Sequence, residues 1–467
     1  MTFQSVLASS EIRTYASTTP NIRKPRGGDV LAFGFAITVA IWLTAYVGRL
    51  PMVELPAHVT VAAMLAVILL GGFLAARTSP NGLRAAVGAG ALSGLLDLIL
   101  ISSLYHDLKP ADLSTAPSIA LWIAGSIALN TLFATLGGLL GSFRAATVRE
   151  RLPLHAHPPL PHGRGSEREY AAPIAWASLF AFVLVSATFL LIAAGGFVTA
   201  NRAGLAVPDW PRSFGYNMFL FPLSLMQKDS GQFFEHAHRL MGSLVGVTAI
   251  SLAVYISVTD RRPAVLILAW AIVVGVSIQG LMGGLRVTDK SETLAIIHGA
   301  FAQIVFAAMA TLIAVTSRRF LTLSRHETRV VSTDRTLTAA LVVSLLGQLV
   351  LGTIVRHTSN LVLLHITMAA LVTSLTLACG FRAWGLYGNI RPFRTLGLAL
   401  LAVVALQLAL GILALIFWNG STGTITTTSV LLTTAHQING ALLLALAAAL
   451  TAWTWHILTP PTETASV

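Results

Sequence analysis

The chain has 467 residues, 55% of them hydrophobic and only 10% charged, with mean hydropathy +0.77, which excludes an ordinary soluble domain. Its net charge of +12 does not call for a nucleic-acid partner, because the basic residues are spread over many loops rather than gathered on one soluble face. A single cysteine, Cys379, excludes an internal disulfide, a thiolate metal cluster and covalent haem attachment through Cys-x-x-Cys-His.

Residues 1–29 form a polar tail whose Ser, Thr and Arg could be read as a mitochondrial presequence; Glu11 and Asp29 favour a bacterial cytoplasmic tail instead. Apolar stretches long enough to cross a bilayer follow at about 30–49, 56–76, 85–105 and 117–142. They define a four-helix membrane domain over 30–146, and the first of them is expected to be a retained anchor. The run Gly88-Ala89-Gly90-Ala91-Leu92-Ser93-Gly94 imitates a dinucleotide fingerprint, but with no strand before it close helix packing is expected. His58 and His106 lie near helix ends and form no ligand pattern. The role of this domain stays open between an assembly or partner-binding module and an accessory domain gained by fusion.

A Pro- and Arg-rich linker over 147–171 comes next, and its His155, His157 and His162 read as a solvated tract rather than a metal site. Eight more spans follow at about 172–198, 234–257, 264–285, 291–315, 336–356, 361–380, 395–418 and 430–457. A basic stretch at 317–335 divides them into bundles 172–316 and 336–457, with a tail at 458–467. The fold class is therefore an all-α polytopic membrane protein of about twelve transmembrane helices: two pseudo-symmetric four-helix bundles preceded by four extra helices. Lys24, Arg26, Arg144, Arg151, Arg261, Arg262, Arg318, Arg319, Arg382, Arg391 and Arg394 all fall on one side. Both termini are accordingly expected in the cytoplasm of a bacterial cell, in preference to a place in the mitochondrial inner membrane.

The repeat is positional. In the third, fifth and seventh of the eight helices a Gln precedes a Gly by four residues: Gln279 and Gly283, Gln348 and Gly352, Gln407 and Gly411. In the even helices a His precedes a small residue by four: His238 and Gly242, His298 and Ala302, His365 and Ala369, His436 and Gly440. Each pair shares a helical face.

A strongly polar side chain within a span is costly and points to function by default. A single such His serves equally well as a polar bridge between helices, but here all four lie on the order of 10 Å in from the outer surface. Two imidazoles facing each other at one depth can supply both axial ligands of a haem iron, so one pair per bundle gives two sites. A small residue one turn away leaves room for a flat macrocycle, although Gly and Ala also serve ordinary packing. Zinc is the alternative metal, without clustered Cys or carboxylate ligands to accompany it.

Arg286 and Arg356 end their helices on the outer side and are candidate clamps for haem propionates, or else snorkelling residues. The longest outer loop, 199–234, contains Asn201, Arg202, Gly204, Asp209, Trp210 and Pro211 and ends at Glu235. Glu235 precedes His238 by three residues and so shares its face; it is a candidate proton donor or acceptor, or a helix-start carboxylate favoured by the dipole. His236 projects about 200° away from His238 and is a poorer ligand.

The run Glu235-His236-Ala237-His238-Arg239-Leu240-Met241-Gly242, with Gly195-Gly196, Asp209-Trp210-Pro211, Leu285-Arg286-Val287-Thr288, Leu351-Gly352-Thr353-Ile354-Val355-Arg356-His357-Thr358, His365 and His436, resembles the haem A synthase family over about residues 172–457. The resemblance implies that His238 and His298 hold the substrate haem, that His365 and His436 are the axial ligands of a resident haem b (iron), and that Glu235 is catalytic. It implies oxidation of the C8 methyl of haem O to formyl by successive hydroxylations for cytochrome oxidase cofactor supply, with haem O as substrate and a haem O synthase as a partner. No motif names the electron donor or the source of oxygen. Some members carry a Cys pair in the outer loop that this chain lacks, and the first four helices fall outside the family plan.

Two rival functions remain at this stage. A di-haem cytochrome b that only transfers electrons would use the same four histidines. A haem-binding or other transporter would suit twelve helices with internal repeats, but would show broken helices or mid-membrane charges, and the apolar windows suggest none.

Overall fold

The computed structural model describes residues 27–100, 102, 116–150, 175–420 and 422–461. The histidines predicted for the linker, His106 and the tails 1–26 and 462–467 lie outside them. Twelve helices are long and apolar enough to cross a membrane, as expected, and the chain is a multi-pass helical membrane protein. In chain order they are α1 (Gly28–Gly48), α2 (Ala57–Thr78), α3 (Gly82–Leu96, its span continuing past a turn at Asp97 to Leu100), α4 (Ala116–Glu150), α5 (Trp176–Ala200), α6 (Ser230–Thr259), α7 (Pro263–Thr288), α8 (Glu292–Thr316), α9 (Val331–Thr358), α10 (Val362–Gly385), α11 (Arg391–Phe417) and α12 (Thr427–Ile457).

Several helices run past their apolar windows because polar residues cap them. Asp229 accepts from the Gln232 N–H at 3.0 Å and starts α6 four residues earlier than hydropathy suggests; Ser291 and Thr426 cap α8 and α12 in the same way. Pro263 and Pro392 sit in the first turns of α7 and α11, where a missing N–H costs nothing. Similarly, α4 continues to Glu150 and α9 begins at Val331, so the predicted linkers at 147–171 and 317–335 are each partly helical. The second linker also holds a short helix, Arg318–Thr322, and a two-residue strand, His326–Glu327, paired in parallel with Leu458–Thr459. What carries α9 into this polar stretch is Asp334: its carboxylate takes Arg382 Nε at 2.7 Å and the Tyr387 hydroxyl at 2.5 Å, tying α9 to the end of α10.

The N-terminal domain packs by close backbone approach. A Cβ on Gly72 would lie 1.9 Å from the Ala134 carbonyl oxygen, and one on Gly137 would lie 1.9 Å from that of Leu69, so the α2–α4 crossing requires glycine at both places. The glycines of the false fingerprint do the same work: Gly90 faces the Asn130 carbonyl and Gly94 the backbone at Ile127. This domain then rests on the first bundle through α1, with Phe35 against Phe180 at 5.1 Å and a stack of Trp42, Tyr46 and Phe233.

One expectation fails in this domain. Asp97, within the third span, is 2% exposed and faces Asn130 and Thr38 from the middles of neighbouring helices and Ser93 one turn earlier in its own span. A carboxylate does sit at mid-membrane, overlooked because the surrounding window stays apolar.

The remaining eight helices form two four-helix bundles, α5–α8 and α9–α12. Helices α8 and α12 touch each other, while α8 also touches α9 and α12 also touches α5. These are the contacts that a twofold axis exchanging α5 with α9 and α8 with α12 produces. The seam is apolar, formed by Ile192, Phe306, Ala310, Ala441 and Ala445.

Candidate functional site: two facing pairs of histidines

The repeat seen in the sequence becomes a repeated contact. His298 on α8 lies against Gly283 of α7, where an added Cβ would stand 3.2 Å from the imidazole Cε1. His365 on α10 lies against Gly352 of α9 (3.1 Å), and His436 on α12 against Gly411 of α11 (2.9 Å). The fourth member was missed: His238 on α6 lies against Gly195 of α5 at 3.0 Å. Its helix carries Leu191 where the others carry Gln, so the Gln-Gly pattern broke there; the Gly195-Gly196 pair was the available signal.

The glutamines hold the same helices in register. Gln279 donates to the peptide carbonyl of His298 at 3.1 Å, and Gln348 to that of His365 at 2.9 Å. Gln407 instead places its amide nitrogen 3.4 Å from His436 Nε2, with Asn439 donating to its oxygen at 2.7 Å. A ligand taken up at His436 Nε2 has to displace that contact.

The odd helices thus fix the even-helix imidazoles from behind, and the imidazoles face each other. The ring centres of His238 and His298 are 6.5 Å apart at an interplanar angle of 79°; those of His365 and His436 are 6.3 Å apart, also at 79°. An iron between two trans imidazoles needs about 6.4 Å, taking roughly 2 Å per metal–nitrogen bond and about 1.2 Å from nitrogen to ring centre. Tetrahedral zinc would bend the pair to a shorter span and require two further donors, and no group of three or more His, Cys, Asp or Glu that could hold a metal occurs among the described residues. In each of the four rings Nδ1 is buried without a hydrogen-bond partner, while each residue as a whole is half-buried. Two imidazoles at this separation would fit an iron that brings its own macrocycle, as haem does. Room beside His238 is real: a Cβ on Gly242 would meet nothing within 4 Å, whereas one on Gly440 would meet Gln407 and Leu349.

The two sites differ in their cover. At the end nearest the histidines, α9 and α10 are joined by Ser359, Asn360 and Leu361 alone, with Ser359 and Leu361 in left-handed conformation. The corresponding connection in the first bundle is the long loop 201–229, bolted down at several points. Trp210 lies flat on α7 at Gly284, where a Cβ would come within 2.3 Å of its ring. Arg239 donates to the carbonyls of Val207, Asp209 and Arg212. His236, fully buried, lies 3.2 Å from Ser213 Oγ and packs on Phe221, so this histidine, set aside as a ligand, helps hold the loop.

Glu235 belongs to the same fastening. Both of its oxygens are engaged, Oε1 with Arg239 at 2.7 Å and Oε2 with the Val207 N–H at 2.9 Å, and the residue is 4% exposed. Because α6 begins at Ser230, Glu235 is in the second turn rather than at the helix start, which removes the dipole as its explanation. Replacing Arg239 with alanine leaves a buried carboxylate unpaired, at a cost of about 3–5 kcal/mol. The expected result is a lower melting temperature with faster amide exchange across 201–229; unchanged exchange there would show that the pair does not fasten the loop.

Arg286 and Arg356 line a cavity of about 350 Å³ between the bundles, together with Arg202, Lys290 and His357 and a single carboxylate, Glu292. Arg286 donates to the Gly204 carbonyl at 2.9 Å; Arg356 donates to those of Thr433 and Gly196, both at 3.0 Å. Both guanidiniums are thereby oriented by backbone, with N–H groups left over for a carboxylate in a strongly basic chamber.

Residues 178–364 match the model of a family described as cytochrome oxidase assembly protein, COX15-CtaA. That segment, less than half of the chain, is similar to this family. It contains Glu235, His238, Arg286, His298 and Arg356 and ends one residue before His365; His436 also lies beyond it, as do the four leading helices, so the second pair joins the first through the structural repeat. No curated protein matches the chain. No solved structure does either.

Proposed function

We propose that this protein is a haem A synthase, which oxidises the C8 methyl of haem O to a formyl group. The observation that carries the reading is the facing of His238 with His298 and of His365 with His436 at a separation suited to two axial bonds, within a chain that has a cytochrome oxidase assembly segment. Two hydroxylations account for the product, each a two-electron oxidation that needs an oxidant and an oxygen atom from a co-substrate: methyl becomes hydroxymethyl, and hydroxymethyl becomes a hydrate that loses water to leave formyl.

In this reading His365 and His436 hold haem b, which when bound supplies one-electron transfer. His238 and His298 hold the substrate haem O. The difference in cover supports this division of roles: the first bundle has the longer fastened loop, which would exclude water from a reacting methyl group, whereas the second has only the shorter α11–α12 connection, whose Gly423 carbonyl takes Arg202. Glu235 and Arg239 keep that loop in place, and Glu235, one turn from His238, is the carboxylate we assign to proton handling. Arg286 and Arg356 present N–H groups to propionates in the basic chamber. A cytochrome that only passed electrons would have no need for different covers on its two sites.

The test is co-expression with a haem O synthase in a host that makes no haem A, followed by extraction and chromatography of the haems. Haem A is expected; its absence from folded, haem-loaded protein would sink the assignment. In the same system Glu235→Gln is expected to retain both haems and to accumulate haem O or the hydroxymethyl intermediate.

A further inference from the structure

The four leading helices carry their own polar centre, and it is independent of the haem reading. Thr38 lies midway along α1, Asn130 midway along α4, and Ser93 in the last turn of α3, with Asp97 four residues later at that helix's C-cap. All four are buried: Thr38 and Ser93 are 0% exposed, Asp97 2% and Asn130 4%.

The available protons are directed elsewhere. The Thr38 hydroxyl lies 3.1 Å from both the Gly34 carbonyl and Ser93 Oγ. Ser93 Oγ donates to Asn130 Oδ1 at 3.4 Å, and the Asn130 amide donates to the Ser126 carbonyl at 3.1 Å. Ser126 in turn donates to the Gly94 carbonyl at 2.9 Å. Asp97 Oδ1 is buried with no hydrogen bond, while the side chains of Asn130, Thr38 and Ser93 stand beside the carboxylate as its polar neighbours. No salt bridge among the described residues reaches it.

A carboxylate in an apolar interior has to be neutralised, either by taking up a proton or by holding a cation. One acidic group calls for a single positive charge, since a divalent ion would leave an excess in the membrane. The donor set is carboxylate, hydroxyl and amide oxygen, which suits a hard cation. An ion held there would have to be bare, because Gly90 and Gly94 bring α4 so close that a Cβ on Gly94 would stand 2.6 Å from the Ile127 Cα.

We propose that Asp97, Ser93, Thr38 and Asn130 form an intramembrane binding site for a single sodium ion. The experiment uses the full-length protein in detergent, with melting temperature measured in sodium chloride against choline chloride at equal ionic strength, at pH 6 and pH 8, together with binding of radioactive sodium. Sodium is expected to raise the melting temperature saturably, and at lower concentration at pH 8, because protons compete for the same carboxylate. Asp97→Asn is expected to abolish both the shift and the binding while leaving haem content unchanged. Asn130→Ala and Ser93→Ala, which keep the carboxylate, are expected to raise the sodium needed by about tenfold, and they decide the matter if Asp97→Asn does not fold. Equal melting in sodium and choline at both pH values, with no bound radioactive sodium, would overturn the proposal in favour of a permanently protonated Asp97.

Discussion

His298→Ala is expected to abolish haem A formation while leaving one haem in the protein. Its ring is one of two in the first pair, set 6.5 Å from that of His238, and removing it leaves a single imidazole where the proposed reading requires two to hold the substrate haem. The second pair lies in a bundle with its own core, built around Leu341, Leu345, Leu400, Leu444 and Leu450, so it is expected to keep its haem. His365→Ala is the reciprocal case, expected to spare the haem of the first bundle and lose that of the second. Pyridine haemochrome quantification on each purified variant, with chromatography of the extracted haems, separates the two outcomes. Loss of both haems from either variant would show that the sites are not independent, and continued haem A production by His298→Ala would remove the first pair from the reaction.

The second large effect is expected from Gly283→Val, a residue that touches no cofactor in any reading. A Cβ at Gly283 stands 3.2 Å from the Cε1 of His298, and the two methyl groups beyond it have nowhere to go except into the imidazole. Overpacking of this kind costs about 1–3 kcal/mol, and turning a metal ligand out of line costs about 10–100-fold in affinity. Gly280→Val, one turn away on the same helix, meets nothing within 4 Å and is the control, expected to bind haem normally. The second bundle offers the same contrast between Gly352→Val, 3.1 Å from His365, and Gly347→Val, which is free of contacts. If Gly283→Val and Gly280→Val bound haem equally, the glycine cradle would have no part in positioning the ligand.

Hydropathy made all twelve spans legible, because a bilayer rewards an uninterrupted apolar window whatever the tertiary contacts. It placed helix ends poorly wherever a cap or an ion pair carries the helix into polar sequence, as Asp229 does for α6 and Asp334 with Arg382 does for α9. The four histidines and three of their Gly partners were legible as spacing; Gly195 was hidden because Leu191 replaces the glutamine that marks the other three.

The residues around the outer loop could not be read that way. Glu235 looked like a free carboxylate beside a ligand because its partners are a side chain one turn later and the backbone N–H of Val207, and nothing in a one-dimensional pattern assigns a backbone N–H to a distant side chain. Asp97 escaped notice for a related reason: its significance lies in Thr38 and Asn130 coming from other helices to meet it, not in its own neighbourhood.

The sequence by itself determined that histidines on membrane helices recur four times at one depth, since both the spans and the helical period are local properties of the chain. Only the tertiary structure decided that they face each other in pairs 6.5 and 6.3 Å apart, cradled from behind by glycines, with the longer fastened loop in the first bundle. Distance and cover arise from how helices cross, and crossing is set by contacts between residues far apart in the chain.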